Sequence, residues 1–436
     1  MKIEKLKIRN FRNLESFDII FDKKLTMLVA NNSSGKTSIL DAISIMLGSY
    51  IGAFPTEKNN GFKFTDATIK ERGDEPKYPI SVSSNIILDR EIRVFRELSN
   101  KGSRTTTVDS RDLQQYAKMN YEKLYNKEDV NLPIIAYYGT GRLYKETKHS
   151  KEKYEKEKSS RSYGYHNCLN PNSSFKEFRE WFIEQSQVEI NTLLKNLQKN
   201  QNINLSELPT SKLLANIRNS INNVLTHLNW KNLHFNGEDL VIENTDEIEL
   251  SIDSLSDGVK NILTLVADIA YRCSKLNPHL NNPSKETEGI ILIDEIEMHL
   301  HPSWQQRVII DLLNTFDNIQ FIITTHSPQV LSSVNNTNIR IIDPLEKEAI
   351  TPIINPYGKQ SVIALEDIMN VSSRPPKEII KEVELLENYL ELVQKGDINN
   401  SSLTIMREEL NKIYGTDYNK LLIADMIINK FKAKEK

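Results

Sequence analysis

The chain has 436 residues, long enough for a full core and for two or three domains or one large α/β domain with insertions. Its 39% hydrophobic and 26% charged content is ordinary for a globular protein, and a formal net charge of -3 excludes a globally basic nucleic-acid binder. Met1 to Lys7 lacks the apolar run of a signal peptide, no window approaches the roughly 18 apolar residues of a membrane span, and Cys168 and Cys273 lack metal-ligand spacing. A soluble, cytoplasmic protein is expected, with no membrane partner.

Alternation at Leu6 and Ile8, at Phe17, Ile19 and Phe21, and at Leu25, Met27 and Val29 predicts three short strands, the last two joined by a turn at Asp22 to Lys24. Thr37 to Leu47 has helical spacing at Ile39, Leu40, Ile43 and Leu47, and Gly48 marks its stop. Residues 80 to 108 alternate again, with Asn100-Lys101-Gly102 as the turn of an antiparallel β lobe. Pro133 to Tyr138 is a strand, and it leads into Arg142 to Arg161, which holds eight Lys/Arg and four Glu, a local excess of four positive charges.

Helical periods return at Phe175, Phe178, Trp181 and Phe182, and at Leu214, Ile217, Ile221, Val224 and Leu228, before strand-like runs near Leu240 and Glu249. The apolar runs Ile290 to Ile293 and Ile319 to Ile323 suit strands of a sheet covered on both faces. Beyond Pro344 a helical tail is expected, with Ser372-Ser373-Arg374-Pro375-Pro376 as a linker. The amphipathic segment Ile379 to Val393 follows, and its apolar positions (Leu385, Leu386, Tyr389, Leu390, Val393) need a cover: a partner, another copy, or the rest of the chain.

Four elements carry chemistry. Ala30-Asn31-Asn32-Ser33-Ser34-Gly35-Lys36-Thr37 matches a phosphate-binding loop except at its first glycine, which is Ala30. Its backbone N–H groups and the helix start would surround a phosphate; Lys36 supplies charge, Thr37 a hydroxyl for Mg²⁺, and Ser38 is expected to join them in binding ATP. Alanine at the first position costs about 1–3 kcal/mol if that site demands a glycine-only conformation. The bland alternative is a polar strand-to-helix turn.

The strand Ile290 to Ile293 delivers Asp294 and Glu295, the first to hold Mg²⁺ through water, the second to orient or deprotonate an attacking water. Ser256-Asp257-Gly258-Val259-Lys260 opens a strong helix, so Ser256 is either a plain N-cap or, with Asp257, Gly258 and Lys260, part of a second anion site. A γ-phosphate held by a facing molecule is the natural anion. Thr324-Thr325-His326-Ser327 ends a strand, where His326 either is structural or bonds that phosphate. Glu297, His299 and His301 pose a metal site against a dimer-facing loop.

These elements, in this order, resemble the ABC-type ATPase heads of the RecF, SMC and OLD families. Ile8-Arg9-Asn10-Phe11-Arg12 resembles their first strand, and the resemblance implies that Arg12 lies near the nucleotide. Tyr137 to Arg142, Glu297 to Pro302 and the tail from Ser372 are most similar to PtuA, the ATPase of Septu and retron-linked anti-phage systems. Departures are Ala30, Ser33 where many heads have glycine, and no clear glutamine after Tyr138.

The resemblance implies an α/β fold: a head over 1–345, with a mixed sheet covered by helices on both faces and an antiparallel β lobe. Lobe I spans about 1–138, a helical insertion about 170–230 and a signature and Walker B lobe about 231–345; residues 346–436 form a C-terminal helical partner or assembly region. Function follows as an ATP- and Mg²⁺-dependent regulatory ATPase, a homodimer of heads or a higher homo-oligomer, controlling a separate HNH-type nuclease, PtuB, with foreign DNA as eventual target. The alternatives are a RecF-like repair ATPase binding DNA through Arg142 to Arg161, an OLD-type nuclease, which lacks its acid cluster here, and a transporter ATPase.

Overall fold

The computed structural model describes residues 1–31, 34–54, 61–69, 75–106, 108–141, 160–171, 175–198, 209–343, 345–373, 377–396 and 401–434. Asn32 and Ser33, most of the basic stretch 142–161, and Arg374 to Pro376 of the expected linker lie outside them. The chain falls into two compact units, Met1–Met369 and Asn370–Lys436. The first continues past 345, where Glu348 bridges Asp18 and Ile350 bridges Ile341.

β1 (Lys2–Phe11) and β2 (Leu14–Ile20) pair antiparallel, with Ile8 opposite Phe17. Asp22 accepts the backbone N–H of Lys24 at 2.8 Å and of Leu25 at 3.1 Å, and that turn delivers β3 (Leu25–Val29) to a different sheet. α1 (Lys36–Ile51) follows the phosphate-type loop. It does not stop at Gly48: Tyr50 and Ile51 are buried, and that burial outweighs the roughly 1 kcal/mol cost of an internal glycine.

β4 (Ile80–Ile87) and β5 (Glu91–Leu98) pair antiparallel, completing a four-stranded lobe ordered β2-β1-β4-β5. The reversal between them is at Leu88 to Arg90, where Leu88 N–H bonds Arg90 C=O at 2.9 Å, rather than at Asn100 to Gly102. The expected turn instead follows β5 and folds Thr106 back onto Glu97 at 2.7 Å. α2 (Arg111–Tyr125) then leads to β6 (Ile134–Tyr138).

α3 (Phe175–Gln198) and α4 (Pro209–Leu225) carry the two helical periods, burying Phe178 and Phe182 from one and Leu214, Ile217, Ile221 and Val224 from the other. β7 (Trp230–Phe235), β8 (Leu240–Asn244) and β9 (Glu249–Ser251) form a small antiparallel sheet. β7 escapes a period-two reading because the register shifts between Lys231 and His234 and Asn232 turns left-handed at φ 54°. α5 (Asp257–Leu276), β10 (Gly289–Ile293), α6 (Val308–Thr315), β11 (Ile319–Thr325) and β12 (Ile339–Ile341) complete the unit.

β12, β3, β11, β10 and β6 form a five-stranded sheet, in that order, and every pairing in it is parallel. Every residue of β3, β6, β10 and β11 is buried, as a sheet covered on two faces requires. This arrangement puts the C-terminal ends of β3, β11 and β10 side by side, and ligands of open α/β sheets bind at such ends.

The second unit comprises α7 (Lys377–Gln394), α8 (Ser401–Tyr414) and α9 (Asn419–Lys434). Its own core joins Leu386, Tyr389 and Val393 to Leu403, Leu410 and Leu421, so the apolar stripe of α7 is covered within this bundle. Among the described residues no helix is long and apolar enough to cross a membrane.

Candidate active site

β3 ends at Val29, and the chain passes through Ala30 and Asn31 before Gly35 turns it into α1. Gly35 sits at φ 102°, a conformation that favours glycine, and a Cβ there would also stand only 3.0 Å from Asn13 Oδ1. Ala30 is not left-handed, and the expected cost of alanine there does not arise. The N-cap position of α1 is Gly35, which has no side chain to bond the first-turn N–H groups, and a helix start of this kind suits an anion.

Lys36 is 7% exposed and donates to the carbonyls of Ala30 at 2.9 Å and Asn31 at 3.4 Å. Burial lowers its pKa, while Asp294, Glu295 and Glu297 pull it back up.

β10 delivers Asp294, which is buried and accepts the hydroxyls of Thr37 at 2.9 Å and Thr324 at 2.6 Å. Thr324 Oγ1 also accepts the N–H of Glu295 at 2.8 Å, which fixes a left-handed Glu295 (φ 49°) at the end of the strand. β11 supplies Thr324 and Thr325 and then His326, after which Ser327 caps the short helix Pro328–Leu331. Arg12, also left-handed at φ 53°, donates to Asp41 of α1 at 2.5 Å and Asp66 at 3.2 Å. Burial works to lower its pKa, but the two carboxylates outweigh that and raise it.

These groups line one open cleft of about 370 Å³, contributed by Arg12 and Asn13, by Ser34 to Ser38, and by Glu295 and His326. The sequence-predicted Arg12, Ser34, Gly35, Lys36, Thr37, Ser38, Glu295 and His326 therefore meet, with Asp294 bonded to Thr37 beside them. Asn13 and Asp41 escaped the sequence reading. The first is a polar residue in a strand-to-strand turn, and the only available signal for the second was an acid within the apolar stretch of α1. A cavity of similar volume, about 360 Å³, lies between α4 and residues 278–285; amides, hydroxyls, His279, Lys212 and Lys285 line it, and no carboxylate does.

Ser256 to Lys260 do not line the cleft. Ser256 stands at the N-cap position of α5 with extended backbone, yet its hydroxyl makes no cap bond, so it is not the plain N-cap that the sequence offered. Ser256 and Asp257 are exposed. Gly258 lets α5 approach the loop after β10: a Cβ there would fall 2.5 Å from the His299 carbonyl oxygen. Asn261 Nδ2 holds the Met298 carbonyl at 2.6 Å, and Lys260 Nζ bonds the Asp253 carbonyl at 2.7 Å. The metal alternative disperses: Glu297 bonds Thr325 and His326, while His301 Nδ1 contacts Ser303 at 2.8 Å.

A family model described as "AAA domain, putative AbiEii toxin, Type IV TA system" matches residues 25–332. The chain is 29% identical to "Retron Vc95 probable ATPase" of Vibrio cholerae serotype O1 biovar El Tor, over 86% of this chain and 80% of that protein. It is 24% identical to "Septu protein PtuA" of Bacillus thuringiensis, over 89% of each. The SMC head domain from Thermotoga maritima is similar at 15% identity and a TM-score of 0.43, covering 82% of this chain and 97% of that one. Retron ATPase and PtuA are the relatives to which the sequence resemblance pointed. Because the family match takes in well over half its length, the chain belongs to this AAA domain family and is a P-loop ATPase.

Proposed function

We propose that the cleft binds ATP with Mg²⁺, and that two copies close face to face so that Ser256 to Lys260 of each completes the other's cleft. The observation that carries this is the meeting of Lys36, Thr37, Glu295 and His326 in one cleft while Ser256 and Asp257, at the start of α5, are exposed outside it. A triphosphate fits that donor set: a buried ammonium, the N–H groups of a helix that starts at a glycine, and a guanidinium anchored by two carboxylates.

Thr37 and Asp294, bonded to each other at 2.9 Å, are the residues that would hold Mg²⁺, a hydroxyl and a carboxylate being oxygen ligands suited to that ion. When bound, Mg²⁺ supplies positive charge to the phosphate oxygens. Lys36 neutralises the β- and γ-phosphates and Arg12 flanks them. Glu295 orients the attacking water and takes its proton as the bond between the γ-phosphorus and the bridging oxygen breaks. His326 bonds the γ-phosphate and registers its loss.

Within a cell the reading is a cytoplasmic regulatory subunit of an anti-phage defence complex whose ATP state controls an HNH-type nuclease acting on foreign DNA. The retron and Septu names of its relatives support this. Direct DNA contact through residues 142–161 gains no support from Arg161, which donates inward to the carbonyls of Leu276 at 2.8 Å and Val130 at 2.5 Å.

Mass in solution tests the pairing. With ATP and Mg²⁺ the mass should rise from that of one subunit to that of two or a multiple of two, and with the partner nuclease present the two should co-elute. A mass unchanged by nucleotide at every concentration would reject pairing around ATP.

A further inference from the structure

Glu297 lies three residues beyond Asp294, in the tight turns that follow β10, where Met298 N–H bonds Glu295 C=O at 3.1 Å and Leu300 N–H bonds Glu297 C=O at 2.9 Å. Its two carboxylate oxygens divide their work. One accepts the backbone N–H of His326; the other accepts the Thr325 hydroxyl at 2.8 Å. Thr325 Oγ1 in turn accepts the N–H of Ser327 at 3.0 Å. One side chain therefore fixes three consecutive residues at the end of β11, with His326 in the middle.

Burying a carboxylate is costly unless it is fully hydrogen-bonded. Burial pushes the Glu297 carboxyl up, and the bonds from His326 and Thr325 oppose that shift. A site that keeps this costly group gains a fixed His326 backbone, and hence a histidine ring held at the cleft that it lines.

We propose that Glu297 is a positioning residue for ATP hydrolysis: it holds Thr325 and His326 so that the histidine meets the γ-phosphate. This rests on the reading of the cleft given above, because without ATP there is nothing for His326 to meet. Glu297 itself does not line the cleft; apart from its charge, which helps to raise the Lys36 pKa, its effect on hydrolysis passes through His326.

The test compares the full chain with E297A, T325V, H326A and the double variants E297A/H326A and T325V/H326A, measuring ATP affinity and kcat separately. E297A should lower kcat roughly 10- to 100-fold, since a small misplacement of a catalytic group costs that much, with ATP affinity held within about threefold. T325V removes one of the two bonds and should lower kcat by a smaller factor, which keeps the test alive if E297A does not fold. In the H326A background neither change should lower kcat much further, because the residues act as one unit. E297Q, which retains an acceptor for the His326 N–H, should recover most of the loss.

Undiminished kcat in both E297A and T325V overturns the proposal, and so do full additive losses in the H326A background. A silent H326A beside a crippled E297A overturns it as well. Failure of the underlying reading looks different: wild-type protein would then bind ATP no better than Lys36→Ala.

Discussion

Lys36→Ala should lower ATP affinity by roughly 30- to 1000-fold, the equivalent of losing about 2–4 kcal/mol of charge-assisted bonding to phosphate. Lys36 is almost fully buried, its ammonium rests on the Ala30 and Asn31 carbonyls, and three carboxylates stand close enough to affect its charge. Alanine leaves the phosphates without their cation and the carboxylates without theirs, so the loss exceeds that of a surface lysine. α1 remains anchored through Ile39, Leu40, Ile43 and Leu47, all fully buried, so the fold should persist. Titration with a fluorescent ATP analogue reads the affinity, and circular dichroism checks the fold. Unaltered affinity in a folded variant would remove the assigned site.

Glu295→Gln should lower kcat by about 10²–10⁴-fold, the span of a lost general base, while ATP binding stays near wild type. The backbone of Glu295 is set by its N–H bond to Thr324 and by its left-handed conformation, neither of which depends on the carboxylate. Glutamine fits the same space and cannot take the proton. Bound ATP should then last, and under the proposed pairing so should the pair of subunits. Single-turnover hydrolysis separates this effect from product release; a variant hydrolysing at the wild-type rate would assign the base elsewhere.

The elements that anchor this site were legible because each obeys a short-range rule. A fully apolar run marked β10, helical spacing marked α1, and a glycine-lysine-threonine triplet joined strand to helix. What stayed hidden depends on contacts across long stretches of chain. Thr37 and Asp294 were both expected at Mg²⁺, but their direct bond across 257 positions was not, and Arg12 is held by Asp41 and Asp66, which no motif assigns to that role.

Local breaks misled for a different reason. Gly48 sits where burial overrides helix propensity, the β4–β5 reversal at Leu88 to Arg90 has no glycine to announce it, and the bulge in β7 erases its period. The amphipathic face of α7 was plain in sequence, but its cover was not, because α8 and α9 supply it from later in the chain. Glu297 read as part of a dimer-facing loop, with a metal site beside two histidines as the alternative, and only the fold turns its carboxylate toward Thr325 and His326.

Mixing two inactive variants tests the shared cleft most directly. Lys36→Ala spoils the phosphate loop and leaves the start of α5 intact; Ser256→Arg does the reverse, at an exposed residue whose hydroxyl makes no bond to the helix it begins. If each cleft is built from two subunits, an equal mixture should regain roughly a quarter of wild-type hydrolysis, from random pairs that each contain one complete site. If Ser256→Arg hydrolyses ATP normally, or the mixture stays as inactive as its parts, the cleft is not completed by a second copy.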